Sequence, residues 1–352
     1  MDVQIAFQKL QFRFEAGTSR GVLHDKKSWI VKLIKNDKIG YGEIAPLKGL
    51  SPEGYEDFEE TLNKEIQIFI NNDFQLENIN ISSSTLFGLE TALLSLQQQS
   101  PFQISKNTFF EKGATIKING LVWMGSKDFM LQQIDEKINK GFQCIKMKIG
   151  AINTHDEIDI LQSIRKRYSS EQLTLRVDAN GAFTLSEAKS ILTKLSKHNI
   201  HSIEQPIKQG QIEQMAQLCQ LPSSTGIALD EELIGIKDTK EKRDLLAKIK
   251  PQYIILKPTL HGGIRGTKEW IKLAEELNIN WWITSALESN IGLNAICQIA
   301  SEYQITTYQG LGTGSLYHNN IPSPLSLDGE RIYYDSKTEW NLSQLNFKSF
   351  NA

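Results

Sequence analysis

The feature that most constrains the fold is a repeat that begins near residue 115, where a short apolar strand, a loop and an amphipathic helix follow one another several times. Strands that alternate with helices are typical of a parallel sheet, because each helix returns the chain to the start of the next strand. Eight strands with seven helices between them predict an α/β fold, a TIM-like (β/α)7β barrel over residues 111–318. The strand-like runs are TIKING, CIKMKI, LTLRVDA, IHSIEQ, TGIALDE, YIILKP, NWWITSA and TTYQGLG.

The helices of the repeat carry apolar residues at intervals of three and four positions. In TLSEAKSILTKLSKHN, Thr184 and Glu187 form a capping-box pattern, and Ile191 and Leu195 belong to the stripe that we expect to be buried. An open doubly wound sheet is the weaker alternative, because the first strand-to-helix turn, INGLVWMG, lacks the GxGxxG spacing of a dinucleotide-binding loop.

Residues 1–110 follow another pattern and predict an α+β domain. Apolar and polar residues alternate as in strands up to about residue 45, with a hairpin turn at Asn36-Asp37. Two helical patterns follow, and Ser51 and Ser84 are their predicted N-caps.

Composition restricts the partners that this chain can have. The formal net charge of -2 gives no general attraction to nucleic acid or to an anionic membrane, and no segment approaches the roughly 20 apolar residues of a membrane span. The three cysteines are far apart and form no CxxC pair, and the N-terminus has no continuous apolar stretch like that of a signal peptide. These features predict a soluble cytoplasmic protein that acts on a small molecule, and they leave a homo-oligomer open.

Charged side chains stand near the C-terminal end of successive predicted strands. They are Lys148, Asp178, Glu204, Asp230 and Lys257, separated by 30, 26, 26 and 27 residues. One strand-helix unit has about this length, so we expect the five at one level of the barrel, at the rim where such barrels carry their active sites. Three neighbouring carboxylates repel one another unless a cation lies between them, and a set without His or Cys favours Mg²⁺ over zinc. The sequence predicts a magnesium site held by the three acids, in which Mn²⁺ can substitute.

Each acid taken singly has a simpler interpretation. Asp178 in VDANGAF could be a turn residue or a helix cap, Glu204 could close its strand, and Asp230 could lie in a solvated loop. Unrelated surface acids would not keep the spacing of one repeat through three strands, which favours the metal site. Asn180 and Glu231 are polar neighbours that we predict to orient the ligands.

Two lysines share one face of the strand CIKMKIG. Alternation places Lys146 and Lys148 roughly 7 Å apart on the inner face, while Ile145 and Met147 face the helices. A lone strand lysine is more often a solvated edge charge, but a closed barrel offers no exposed edge. A second ammonium group and a divalent cation disfavour the charged form, and a neutral Lys148 would be a competent general base. With Lys257 on the other side of the site, this pattern indicates proton removal from a carbon beside a metal-bound carboxylate.

These residues resemble the enolase superfamily, and the motifs KMK, DAN, EQP, LDEE and KP resemble its muconate-lactonizing subgroup. The stretches TSRG, GYGEIAPL, FGLETALL, NGLVWMG, KPTLHGG and SALESNIGL are similar to subgroup dehydratases of menaquinone biosynthesis. The resemblance implies that residues 1–110 are a capping domain and that residues 319–352 return to it. The implied reaction is the syn dehydration of 2-succinyl-6-hydroxy-2,4-cyclohexadiene-1-carboxylate to o-succinylbenzoate.

The resemblance also implies a role for each residue of the site. Lys148 would take the proton and return it to the departing hydroxyl, Lys146 would tune Lys148, and Lys257 would stabilise the enediolate. Ser19 and Arg20 of TSRG would close over the substrate, and Ser285 would contact a carboxylate, although TSRG could be an ordinary turn and Ser285 a strand-end cap. One departure is LDEE at Asp230, where members of the subgroup often have DES.

Three other functions are compatible with parts of this pattern. A racemase of N-acylamino acids or a dipeptide epimerase would use lysines at the same two places, but an epimerase is expected to carry an Asp-x-Asp pair for the substrate ammonium, and SALESNIG and GLGTGSLY contain none. A Schiff-base aldolase would use Lys257 and leave the acids without a role. A scaffold without catalysis would have no reason to keep all five residues.

Overall fold

The computed structural model describes residues 1–18, 21–150 and 153–350. Within these residues, the N-terminal part has three antiparallel strands that pair in chain order, followed by helices. The elements are β1 (Asp2–Thr18), β2 (Gly21–Lys35), β3 (Lys38–Ile44), α1 (Phe58–Asn71), α2 (Ser83–Leu96) and α3 (Thr108–Lys112).

The hairpin predicted between β2 and β3 is confirmed. Trp29 is paired with Ile44, and the register continues without a break to the turn. Asn36 and Asp37 have φ of 49° and 63°, the left-handed conformation that tight hairpin turns require. Local turn chemistry was therefore sufficient to locate this hairpin.

The predicted N-caps of the first two helices are wrong, by six residues for α1 and by two for α2. α1 begins after Asp57, because Ser51 lies in a turn where its Oγ accepts a hydrogen bond from the N–H of Leu47 at 2.8 Å. Ser82, not Ser84, caps α2, and the hydroxyl of Ser84 instead donates to Glu53 at 2.6 Å. In both places a tertiary partner takes the side chain that the local pattern assigned to a cap.

Helix α2 packs directly on β3. A Cβ atom built on Gly42 would lie 1.9 Å from the carbonyl oxygen of Gly88, so the two backbones touch where neither residue has a side chain. This close contact fixes the depth at which α2 lies on the sheet.

The middle of the chain has the alternating pattern that the repeat predicts. β5 to β11 form one parallel sheet of seven strands in chain order, and the capping box at Thr184 is confirmed. Ile145 and Met147 pack with helix residues in the main hydrophobic core, as alternation predicted. The elements are β4 (Ile116–Lys117), β5 (Gly120–Val122), α4 (Lys127–Asn139), β6 (Cys144–Lys148), α5 (Thr154–Arg167), β7 (Thr174–Asp178), α6 (Leu185–Lys197), β8 (Ser202–Glu204), α7 (Ile212–Cys219), β9 (Gly226–Leu229), α8 (Thr239–Ile249), β10 (Tyr253–Leu256), α9 (Gly263–Glu276), β11 (Asn280–Ile283) and α10 (Asn290–Ala300).

The eighth predicted strand, TTYQGLG, is present only as isolated bridges. Gln309 bridges Ile118, close to β5, and Gly310 bridges Thr284, directly after β11. One short segment thus contacts both edges of the curled sheet. A regular ladder is interrupted here, because the N–H of Ile283 donates to the side chain of Gln309 at 2.7 Å and not to a backbone carbonyl.

The C-terminal segment pairs with two distant parts of the chain. It contains β12 (Leu325–Asp328), β13 (Arg331–Tyr334) and β14 (Lys348–Ser349). β13 pairs antiparallel with β4, which removes the first half of TIKING from the parallel sheet, and β14 adds to the edge of β1. Within the described ranges, every helix is too short or too polar to cross a bilayer.

Candidate active site

Three of the five predicted strand-end residues stand side by side on adjacent strands. Lys148 on β6 is paired with Asp178 on β7, and Asp178 is paired with Glu204 on β8. Glu204 lies opposite Ala228 of β9, so Asp230 is two residues further along on the same face. The spacing predicts one level for all five residues. Lys148, Asp178 and Glu204 lie at one level, and Asp230 lies two residues further in the C-terminal direction.

The lysines of β6 bind the carboxylates of the next two strands. Lys146 Nζ lies 2.9 Å from Asp178 Oδ2 and also contacts Glu204, and Lys148 Nζ lies 3.0 Å from the same oxygen of Asp178. Burial alone would raise the pKa of Asp178, but the two ammonium groups hold it well below its usual range. Burial also disfavours the charge on Lys146, yet Asp178 and Glu204 outweigh it and raise the pKa of this lysine.

Lys257 and Asp230 form a second buried ion pair on the far side of the site. Burial opposes the charge of both groups, but their mutual attraction raises the pKa of Lys257 and lowers the pKa of Asp230. The pKa of Glu204 behaves differently, because burial and the neighbouring charge of Asp178 both raise it. The ammonium groups therefore stabilise two of the three acids more effectively than the third.

Two oxygens of these acids have no donor. With the carboxylates ionised, Glu204 Oε1 and Asp230 Oδ1 are buried without a hydrogen-bond partner in the part of the chain that the structure describes. Leaving such atoms unpaired is costly, and hard divalent cations bind carboxylate oxygens of this kind. Among those same residues no three His, Cys, Asp or Glu side chains form a ready-made cage; Lys146 bridges Asp178 and Glu204 instead. The donor set fits Mg²⁺.

Asn180 connects Lys148, Asp178 and Glu231. Its Oδ1 accepts from Lys148 Nζ at 2.6 Å, its Nδ2 donates to Glu231 at 3.0 Å, and its backbone N–H donates to Asp178 at 3.0 Å. Its φ of 44° is in the left-handed region, which Asn tolerates better than most residues. The predicted orienting residues Asn180 and Glu231 are thus brought to the site together.

A cavity of about 530 Å³ borders these residues and is lined by both parts of the chain. Its charged wall contains Lys146, Lys148, Asp178 and Lys257, whereas Glu204 and Asp230 lie behind it. Among the described lining residues, the carboxylates are Asp178 and Glu136. The apolar walls include Phe14, Leu23, Leu47 and Leu50 from the N-terminal part and Leu121, Trp123, Trp282, Leu287 and Leu316 from the remainder.

Two models of known protein families match this chain. A family described as "Enolase C-terminal domain-like" matches residues 130–336, and one described as "MenC, N-terminal domain" matches residues 12–96. The chain belongs to the enolase superfamily.

Similar proteins include a synthase and a racemase. An o-succinylbenzoate synthase of Desulfotalea psychrophila is 41% identical over 94% of this chain and 98% of its own length. An N-succinyl-L-Arg/Lys racemase of Bacillus cereus is 24% identical over 80% of that protein. The crystal structure of MenC from D. psychrophila superposes with a TM-score of 0.79 at 36% identity, covering 95% of this chain and all of that one. The L-Ala-D/L-Glu epimerase of Bacillus subtilis superposes with a TM-score of 0.80 at 19% identity over 95% and 96% of the two chains, which is a likeness of fold.

The sequence prediction missed Gln205, which organises one edge of this superfamily site. Its Oε1 accepts from the backbone N–H groups of Asp230 and Glu232 at 3.2 and 3.3 Å, and its Nε2 donates to Glu232 at 3.1 Å. Glu232 also accepts from the N–H of Gly210 at 2.8 Å. Glu232, which stands where DES has a serine, therefore has a structural role. In the sequence, the only sign of this contact was that Gln205 and Glu232 are both polar and each follow a strand end.

The predicted substrate-binding residues have different outcomes. Ser285 lines the cavity, where its hydroxyl donates to Glu288 and accepts from Thr313 at 2.8 Å. Ser19 and Arg20 lie outside the described residues. Their neighbour Gly21 lines the cavity.

Proposed function

We propose that this chain catalyses the metal-dependent syn dehydration of 2-succinyl-6-hydroxy-2,4-cyclohexadiene-1-carboxylate to o-succinylbenzoate. One observation carries the proposal: a chain 41% identical to an o-succinylbenzoate synthase over nearly its full length gathers a pair of strand lysines, three acids and an opposing lysine at one cavity. The chain is a lyase that acts on a small carboxylate, in menaquinone biosynthesis.

Asp178, Glu204 and Asp230 would hold the magnesium ion, and the unpaired oxygens of Glu204 and Asp230 support this assignment. When bound, the ion supplies positive charge beside the substrate carboxylate while the adjacent carbon loses its proton. Lys146 contacts Glu204, and Lys257 contacts Asp230. With the ion bound to these acids, both ammonium groups would be free to turn toward the anionic substrate.

Lys148 is the proposed base, and its position is supported by Asn180. The amide oxygen at 2.6 Å and the Asp178 oxygen at 3.0 Å hold Lys148 Nζ at the cavity wall. A base fixed on one face removes the proton, and the same ammonium group then protonates the hydroxyl that leaves from that face, which gives syn elimination. Lys146 adds a second positive charge on the same strand and is proposed to tune Lys148.

Lys257 faces the substrate from the opposite side, because β7, β8 and β9 separate its strand from that of Lys148. Its ammonium group would stabilise the negative charge of the enediolate. The apolar walls suit a carbocyclic ring, and the lysines suit a dicarboxylate. Ser285, Ser19 and Arg20 are proposed to contact the substrate.

The proposal also includes the remaining expectations. The domains are 1–110, 111–318 and 319–352, with a barrel of (β/α)7β type; the bridges at residues 309–310 and the pairing of β14 with β1 support this division. Location in the cytoplasm, binding of neither nucleic acid nor membrane, substitution by Mn²⁺ and a homo-oligomer are further expectations.

Incubation of the purified protein with Mg²⁺ and freshly made cyclohexadiene substrate tests the proposal, with aromatisation followed by absorbance. We expect product from the wild type, none after chelation, and none from Lys148→Ala. Lys127→Ala is the matched control, because Lys127 is a more exposed lysine paired with Asp159 at 3.2 Å. Racemisation of N-succinyl amino acids without aromatic product would contradict the proposed reaction and leave the superfamily assignment intact.

A further inference from the structure

Glu43 of β3 is a fully buried carboxylate that the proposed chemistry does not use. It accepts hydrogen bonds from the Ser28 hydroxyl at 2.6 Å, from the backbone N–H groups of Ser289 and Gly292 at 2.8 Å each, and from the Ser289 hydroxyl. Ser289 and Gly292 belong to the amino end of α10, where the helix dipole favours a negative charge. Residues 246 positions apart in sequence are thus joined by one side chain.

Gly292 makes room for this contact. A Cβ atom at Gly292 would lie 2.9 Å from Glu43 Oε2, closer than side-chain carbons normally approach. The glycine therefore lets the carboxylate reach the first turn of the helix. The helix start and the acid are fitted to each other in shape as well as in charge.

Both segments joined by Glu43 continue directly into walls of the cavity. Leu47 and Leu50 follow Glu43, and Ser285 and Leu287 precede Ser289; all four line the cavity. Leu287 has a φ of 67°, a strained conformation for a branched residue that persists only where its surroundings hold it.

Lys26 fixes the first of these segments from behind. Its buried Nζ donates to the carbonyl oxygens of Ala45 and Pro46 at 2.9 and 3.1 Å. The hydroxyl of Tyr317 donates to the carbonyl of Leu287 at 2.7 Å and holds the second segment. Glu43 is the side chain that connects the two segments to each other.

Glu90 of α2 makes a comparable contact away from the cavity. Its carboxylate accepts from the N–H of Ile264 in the first turn of α9 at 2.5 Å. Neither α2 nor α9 contributes a described residue to the cavity wall. Among the described residues, Glu43 and Glu90 therefore each connect the N-terminal part to the start of a helix, and only the segments joined by Glu43 continue into the cavity wall.

We propose that Glu43 is a positioning residue: by binding the amino end of α10 it holds residues 45–50 against residues 285–289, and so aligns two walls of the substrate cavity. Its effect on turnover rests on the proposed function. Its effect on the two segments does not, because that effect is a property of the protein without substrate.

Glu43→Gln and Glu90→Gln are the matched variants. A glutamine at 43 keeps the size of the side chain but places an NH₂ group against N–H donors. By amide hydrogen exchange at pH 8, we expect faster exchange in residues 45–50 and 285–292 for Glu43→Gln and unchanged exchange there for Glu90→Gln. For turnover we expect Glu43→Gln to lower kcat/KM by about 10- to 100-fold, mainly through KM, because misplaced binding walls weaken substrate positioning. Glu90→Gln should stay within about threefold of wild type.

Ser289→Ala is the second, milder variant, since it removes one of the four donors to Glu43. We expect Ser289→Ala to fold even if Glu43→Gln does not. It should shift both measurements in the same direction by a smaller factor. Equal exchange and equal KM in Glu43→Gln and Glu90→Gln would overturn the proposal, as would wild-type values in Ser289→Ala if Glu43→Gln fails to fold. A wild type that makes no aromatic product contradicts the proposed function, whereas the exchange measurement still decides the role of Glu43.

Discussion

Carboxylates at two places in this molecule have different kinds of partner. At the strand ends, Asp178 and Asp230 are paired with lysine ammonium groups at the ends of flexible chains. At the junction between the N-terminal part and the barrel helices, Glu43 and Glu90 are held by backbone N–H groups that cannot move independently. The acids that we propose to bind a metal are paired with lysine side chains, whereas the acids that hold two segments together are paired with backbone N–H groups.

The first prediction separates metal binding from catalysis at the strand ends. Lys257→Met removes the ammonium partner of Asp230, so Mg²⁺ no longer competes with that ammonium group for the carboxylate. The affinity of the protein for Mg²⁺, measured by calorimetry, should be maintained or increased. Turnover should fall by about 10³- to 10⁴-fold, because the enediolate loses its opposing charge. A parallel loss of Mg²⁺ affinity would show that Lys257 holds Asp230 in place, as the backbone N–H groups hold the junction acids, and would contradict this prediction.

The second prediction concerns Gln205, which binds backbone N–H groups at the strand ends. Gln205→Ala releases the turn that carries Asp230 and Glu232, and we expect about a 10- to 100-fold loss of Mg²⁺ affinity, as for other residues that orient metal ligands. Calorimetric titration with Mg²⁺ measures it, and excess Mg²⁺ should restore most of the turnover. Unchanged affinity would mean that the turn is held by other contacts.

The third prediction tests a junction acid through pH. Burial raises the pKa of Glu90 to about 7, which the N–H of Ile264 and the charges of Arg265 and Lys268 offset only in part. Because the folded state holds this proton more tightly than the unfolded state, the contribution of Glu90 to stability is lost as pH rises from about 4.5 to about 7. The loss is about 2 kcal/mol when its partial exposure is taken into account.

Urea unfolding of wild type and Glu90→Gln between pH 4.5 and 8 measures this difference. The two should differ progressively with rising pH, with the wild type losing stability relative to the variant. Parallel pH profiles for the two proteins would show that the carboxyl group of Glu90 is not desolvated as described.

The smallest expected effect is at Glu232, an acid beside the site that is held in the manner of the junction acids. Glu232→Ser removes its hydrogen bonds with Gly210 and Gln205 and should cost about 1 to 2 kcal/mol of unfolding free energy. The value of kcat/KM should change by less than about threefold. Thermal denaturation and the aromatisation assay check the two parts, and a large loss of turnover would assign Glu232 to the chemistry.

The sequence predicted most of the strand-end site, because its residues are separated by one repeat and alternate strictly along their strands. Lys148, Asp178 and Glu204 are in direct register as expected. The residues that sequence reasoning missed or placed wrongly have distant partners. Ser84 was assigned to a cap but binds Glu53, and Gln205 binds the N–H of Asp230, 25 residues away.

What the sequence determined by itself is the periodicity: which side chains face inward, how many residues separate one strand end from the next, and hence which charges converge. These properties are local, since the pleat of a strand and the length of a helix depend on neighbouring residues. The tertiary structure alone decided that Glu43 reaches Gly292, that α2 contacts β3 through facing glycines, and that residues 309–310 contact both edges of the sheet. Such contacts depend on how separate elements pack, and no periodicity along the chain records that packing.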